Sequence, residues 1–136
     1  MDLSKTLNVS ASGMKAQGTR LRVIAENIAN ADSLADRPGA DPYRRKLVTF
    51  KSEVDKASGA RLVAVGAIRP DRGDLRSEYN PQHPAADANG YVKLPNVSTL
   101  IELMDMREAQ RSYEANLKMV EASRQMVMQT IDLLKT

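Results

Sequence analysis

The 136-residue chain has no cysteine and no tryptophan, and its aromatic residues are four tyrosines and one phenylalanine. Without thiols there is no disulfide framework and no thiolate metal site. With so few large aromatics and a mean hydropathy of -0.43, little bulky apolar surface is available for a globular core. No run approaches the roughly 18 apolar residues of a membrane span. The opening Met1-Asp2-Leu3-Ser4 is neither a basic leader nor an apolar signal core, so Sec export is not expected. His83 is the single histidine, which excludes His-rich metal sites and leaves it a turn or contact residue beside Gln82 and Pro84. Charge of one sign is missing too: 20 basic and 17 acidic residues are spread along the chain, and a net +3 so distributed does not imply nucleic acid.

What is present is periodicity at the two ends. Leu103, Met106, Gln110, Tyr113, Leu117, Val120, Arg124, Val127, Ile131 and Leu134 step by three and four residues alternately, which is a heptad seam. Leu7, Met14, Leu21 and Ile28 recur every seven residues near the start. Small residues, Ala11, Gly18 and Ala25, flank that first stripe and admit a closely approaching helix, and Gly18 costs about 1 kcal/mol of helix propensity that packing must offset.

The expected fold is mainly α, with long N- and C-terminal helices pairing as a coiled coil around a small β-hairpin and an extended middle segment. Residues 1–33 form the first helical segment, from about Leu3, capped by Asp2 or Ser4, to about Ala31. Residues 34–95 form the middle, where Leu47-Val48-Thr49-Phe50 and Leu62-Val63-Ala64-Val65 read as a hairpin around Ser58-Gly59. From Arg69 to Asn96 the density of Pro, Asp, Asn and Gly predicts only extended chain with turns. Residues 96–136 form the last helix, capped by Asn96 or, one turn later, by a Thr99/Glu102 capping box. Such helices need partners along their flanks, so assembly is expected and catalysis is not.

The chemical signals are weak. Gly13 to Arg20 has glycines five apart like a phosphate loop, but with Thr-Arg in place of Lys-Ser, in mid-helix and after no strand. Glu102, Asp105 and Glu108 recur at helical spacing, as solvated helix faces do. Arg44-Arg45-Lys46 is the one dense basic run: either a contact to phosphate, an acidic partner or cell-wall polymer, or a charged strand edge that blocks unwanted pairing. Met104, Met106, Met119, Met126 and Met128 offer either an adaptable packing surface or ordinary core filling.

Four stretches carry a resemblance. Ala25-Glu26-Asn27-Ile28-Ala29-Asn30-Ala31 resembles the Asn-x-Ala-Asn signature of the bacterial flagellar axial proteins of rod and hook. Pro42-Tyr43-Arg44-Arg45-Lys46 with Val48 and Phe50, and Tyr79-Asn80-Pro81-Gln82-His83-Pro84-Ala85-Ala86-Asp87 leading through Gly90-Tyr91-Val92 to Pro95-Asn96-Val97, are similar to the proximal-rod members of that family. Arg111-Ser112-Tyr113-Glu114-Ala115-Asn116 extends the likeness to the last helix.

The resemblance implies a non-enzymatic subunit of the drive shaft that crosses the periplasm, without cofactor or metal, exported uncleaved through the flagellar type III apparatus. The implied partners are further copies, other rod proteins and, near the base, the export-gate adaptor FliE and the membrane ring. The alternatives are a sister rod protein at another level of the shaft, or a cytoplasmic helical adaptor or chaperone, which would be a folded, unsecreted oligomer.

Overall fold

The computed structural model describes residues 2–135. Its elements are helix α1 (Leu3–Ala29), strands β1 (Lys46–Val54), β2 (Arg61–Pro70), β3 (Arg76–Tyr79) and β4 (Tyr91–Leu94), and helix α2 (Thr99–Leu134). Two long helices thus enclose in sequence two separate two-stranded sheets, β1 with β2 and β3 with β4. The first unit consists of α1 up to Leu21, the segment Thr49–Ala67 and α2 from Arg107 onward; the second consists of Arg22–Val48 and Ile68–Met106.

In the first unit, α1 starts where Asp2 caps it: Ser4 N donates to Asp2 Oδ1 at 2.9 Å. The buried residues here are all small: Ser10, Ala16, Ala60, Ala109 and Ser123. Small side chains let the backbones come close, and a Cβ on Gly13 would stand 2.8 Å from Asn116 Nδ2. Arg20 Nη2 lies 3.7 Å from Glu108 Oε2. Residue 13 therefore faces 116 and residue 20 faces 108, so these parts of α1 and α2 run antiparallel. The close approach is at Gly13, whereas among the described residues nothing beyond its own helix turn and chain neighbours lies within 4 Å of a Cβ on Gly18.

The turn between β1 and β2 is built by Asp55, whose carboxylate accepts from Ser58 Oγ at 2.5 Å and from the amides of Ala57 and Ser58. Those bonds, the Ser58 hydroxyl first, hold the Asp55 carboxyl below its ordinary pKa. Val63 N donates to Ser12 Oγ at 3.1 Å and ties β2 to α1.

The second unit holds the larger buried side chains, Val23, Ile24, Val92, Pro95 and Val97. Its β3–β4 hairpin is antiparallel, with Arg76 opposite Leu94 and Tyr79 opposite Tyr91. This corrects the expectation of extended chain alone between Arg69 and Asn96. The connection is organised by Asp87, whose Oδ1 accepts from Asn89 N and Tyr91 N at 2.9 Å each. Gly90 sits at φ 85°, where a Cβ would be 2.8 Å from the Tyr79 ring, so only glycine fits. Tyr79 and Tyr91 meet edge to face at 5.4 Å.

Two proposed caps of α2 are corrected. Asn96 Oδ1 accepts from Arg45 N at 2.8 Å and its amide donates to Asp71 O at 3.1 Å. Glu102 is fully buried and turned to Arg45 rather than back to the helix start. The first intrahelical bond runs from Glu102 N to Ser98 O at 3.0 Å, which puts Ser98 at the cap position.

Candidate functional site

Asn27 lies in the last turns of α1, and its amide fills every hydrogen-bonding position it has. Oδ1 accepts from Tyr43 Oη at 2.8 Å and from Lys46 N at 2.9 Å; Nδ2 donates to Lys46 O at 3.0 Å and to Glu102 Oε2 at 3.3 Å. Asn27 thus meets both backbone groups of Lys46, as a neighbouring strand would, and pins the start of β1 to the helix. Three residues on, Asn30 closes α1: its side-chain amide donates to Glu26 O at 2.8 Å, the carbonyl that also accepts from Asn30 N at 3.0 Å. Both asparagines of the signature are therefore structural fasteners.

Arg45 stands beside this pair. Its Nε meets Glu102 Oε1, its Nη2 donates to Asp105 Oδ2 at 3.1 Å, and Nη1 lies 3.8 Å from Asp71 Oδ2. A planar guanidinium can serve several carboxylates through different nitrogens, which a lysine cannot. Glu102 is 0% exposed, and burying a carboxylate is tolerable only with such partners. Arg44 Nη1 donates to the carbonyls of Asp71 and Gly73, and Lys46 Nζ lies 3.3 Å from Glu26. The basic run is thus engaged inside the chain, and its carboxylate Glu102 is not the solvated helix face expected from spacing.

Tyr43 completes the clasp. Burial, and then the charges of Glu26 and Glu102, push its hydroxyl pKa above the ordinary value. The neutral phenol is the form that donates to Asn27. Pro42 next to it is buried, and Tyr43 N donates to Ser33 O at 3.0 Å.

The remaining motif residues lie on the β3–β4 connection, Pro81, His83, Pro84, Asp87 and Gly90, and at the start of β4, Tyr91. His83 Nδ1 accepts from Ala85 N at 3.0 Å, the work of a turn residue. Ala29 is exposed. Among the described residues no group of three or more His, Asp or Glu side chains is arranged to hold a metal ion, and no helix is long and apolar enough to cross a membrane.

The heptad positions divide. Leu7, Met14, Leu21 and Ile28 are half-buried, as are Met106, Tyr113, Val120 and Val127. Leu103, Leu117, Ile131 and Leu134 are exposed, Leu134 at 82%. Alongside Met106 and Tyr113, the inward positions of α2 are Glu102, Ala109, Asn116 and Ser123, one residue before the Leu103, Gln110, Leu117, Arg124 series. That seven-residue series of small and polar residues was a signal in the sequence, but an apolar pattern passes over it. Asp71 and Asn96, the other members of the clasp, carry no periodic signal at all.

Comparison with known proteins gives full-length relatives. A model of the family described as flagella basal body rod protein matches residues 7–33, and one described as flagellar basal body rod FlgEFG protein C-terminal matches residues 88–133. The chain is 57% identical over 133 residues to the flagellar basal-body rod protein FlgC of Agrobacterium fabrum, covering 98% of this chain and 96% of that protein. It is 36% identical to FlgC of Salmonella typhimurium and 38% identical to FlgC of Escherichia coli O6:H1, in each case over 98% of both chains.

Proposed function

The chain belongs to the FlgC family of flagellar basal-body rod proteins, and from that membership we propose that it is a subunit of the proximal rod, which carries torque across the periplasm. It is a structural protein of the flagellar basal body and not an enzyme, and it associates with other basal-body components. The observation that carries this reading is 57% identity over 98% of the chain, a span that takes in both helices and the middle segment.

On this reading residues 1–33 and 96–136 pair as a coiled coil and pack against neighbouring subunits, while residues 34–95 face outward. Half-buried Leu7, Met14, Leu21 and Ile28 and exposed Leu103, Leu117, Ile131 and Leu134 are the surfaces left for those neighbours. Neighbours include further copies, other rod proteins, the adaptor FliE and the membrane ring near the base. Delivery is through the flagellar type III export apparatus, uncleaved. Buried small residues suit such a subunit, because an end with a thin core unfolds at low cost for export and folds when a growing end supplies the missing contacts.

The experiment is deletion of the gene in its own organism with a complemented strain alongside, scored by swimming and by electron microscopy of basal bodies. Rings without rod or hook, restored on complementation, are expected. Normal flagella in the deletion strain would overturn the reading.

A further inference from the structure

The first unit contains a cleft of about 470 Å³ between α1 and the β1–β2 hairpin. Ser12, Ala16 and Thr19 form its helix side, and Leu62, Val63 and Val65 its strand side. Lys15 and Glu53 stand at its exposed rim, one cation and one anion. The rod reading uses α1 for its apolar stripe and the clasp, and leaves this cleft without a role.

Among the described residues, the same unit leaves a helix end uncovered. Gly13 faces Asn116 and Arg20 faces Glu108, so by that register Leu3, the first residue of α1, is level with about residue 126 of α2. The last two turns of α2 pass beyond the capped start of α1. They present Met128, Ile131 and Leu134 at three-residue spacing, with exposures of 58%, 41% and 82%, and exposed Asp132 and Lys135 beside them.

We propose that the cleft of one copy receives the last two turns of α2 from a second copy. The fit is chemical. An apolar helical face enters a groove whose strand side is apolar, the helix-in-groove mode of recognition. Asp132 stands on the flank of that face and meets Lys15, so the cation of the helix-side rim gains its opposite. A chain cannot fill its own cleft, because Ser12 to Thr19 is level with residues 117 to 110 of α2, and Met128 lies ~16 Å further along one unbroken helix. The contact is heterologous, tail into cleft, and each docked copy still offers a free cleft and a free tail. Head-to-tail contacts form a ring or an open filament according to the rotation between copies, and a rod uses the open form. The inference rests on the rod reading and adds its self-contact.

The absence of cysteine makes the test clean. Two single-cysteine variants, Thr19→Cys in the cleft and Met128→Cys on the tail, are mixed at high concentration under mild oxidation, and disulfide-linked pairs are counted by mass spectrometry. The mixed 19–128 pair is expected to dominate both symmetric pairs. Lys15→Glu in the first chain is expected to cut its yield by roughly fivefold, and Asp132→Lys in the second to restore it. A mixed yield no higher than that of Thr19→Cys with Asn89→Cys, a turn-tip control, would overturn the proposal. So would a yield insensitive to both charge reversals, or capture in isolated basal bodies of a different protein at residue 19. Complementation by the wild-type chain is scored in parallel: restored swimming without the 19–128 link removes this contact and leaves the rod reading standing.

Discussion

Asn27 Nδ2 meets Glu102 Oε2 at 3.3 Å across seventy-five positions of sequence, and both side chains are essentially removed from solvent, 1% and 0% exposed. The contact joins the end of α1 to the first turn of α2. It is made affordable by Arg45, which neutralises the carboxylate from the opposite side.

Replacing Asn27 by alanine strands a half-buried phenol, both backbone groups of Lys46 and one oxygen of Glu102. A loss of about 2–4 kcal/mol is expected, read as a lower urea midpoint at unchanged slope. Asn27→Asp should lose more, since it sets a second carboxylate against Glu102.

Arg45→Met leaves Glu102 buried without its cation and should cost about 3–5 kcal/mol. The pair Arg45→Met/Glu102→Met removes the charge together with its partner and is expected to be more stable than Arg45→Met alone. A double-mutant cycle by urea denaturation checks this, and strict additivity of the two losses would contradict the clasp. Arg45→Lys should fall between, having one nitrogen where three are used.

Tyr43 gives a pH dependence with a definite sign. Its pKa is raised in the folded state, so the neutral phenol contributes stability in full below the unfolded value of about 10. That contribution is lost as pH rises through the higher folded value. Tyr43→Phe should cost about 1 kcal/mol at neutral pH, and its deficit relative to wild type should shrink in strongly alkaline buffer. Paired melts across that range measure the difference.

The two helix glycines should part company. Among the described residues Gly18→Ala meets nothing within 4 Å beyond its own helix turn and chain neighbours and should stabilise by about 0.5–1 kcal/mol through helix propensity. Gly13→Ala must push aside the Asn116 side chain, which is anchored to Ser112 O at 3.0 Å, so it gains less. Gly13→Leu should destabilise outright. Thermal melts of the three variants in parallel decide the order.

Leu117, 37% exposed, tests the assembly seam rather than the fold. Leu117→Glu should leave the monomer's melting temperature and its export unchanged while preventing rod assembly. Normal motility in a strain carrying it would count against the seam.

The helices were legible because α-helical burial repeats every three to four residues, and both ends of the chain carry that repeat. β1 and β2 were legible from their β-branched residues. β3 and β4 were not: each has four residues, β3 is exposed throughout, and the hairpin depends on Asp87 holding the turn and on Tyr79 packing over Gly90. Neither relation has a period. The same holds for the caps, where Asn96 and Glu102 are suitable by type and spacing but are drawn away by Arg45.

The sequence by itself determined two helices with apolar and small stripes, a first hairpin, the absence of thiol chemistry and of His-rich metal sites, and the motifs that mark the family. Only the tertiary structure decided which rail of α2 turns inward. An apolar pattern selects Leu103 over Glu102, since a lone buried carboxylate is costly. The fold reverses that order by bringing Arg45 and Asn27 from distant segments to the carboxylate. Desolvation of a charge is a property of the side chain, and its compensation is a property of neighbours that sequence distance conceals.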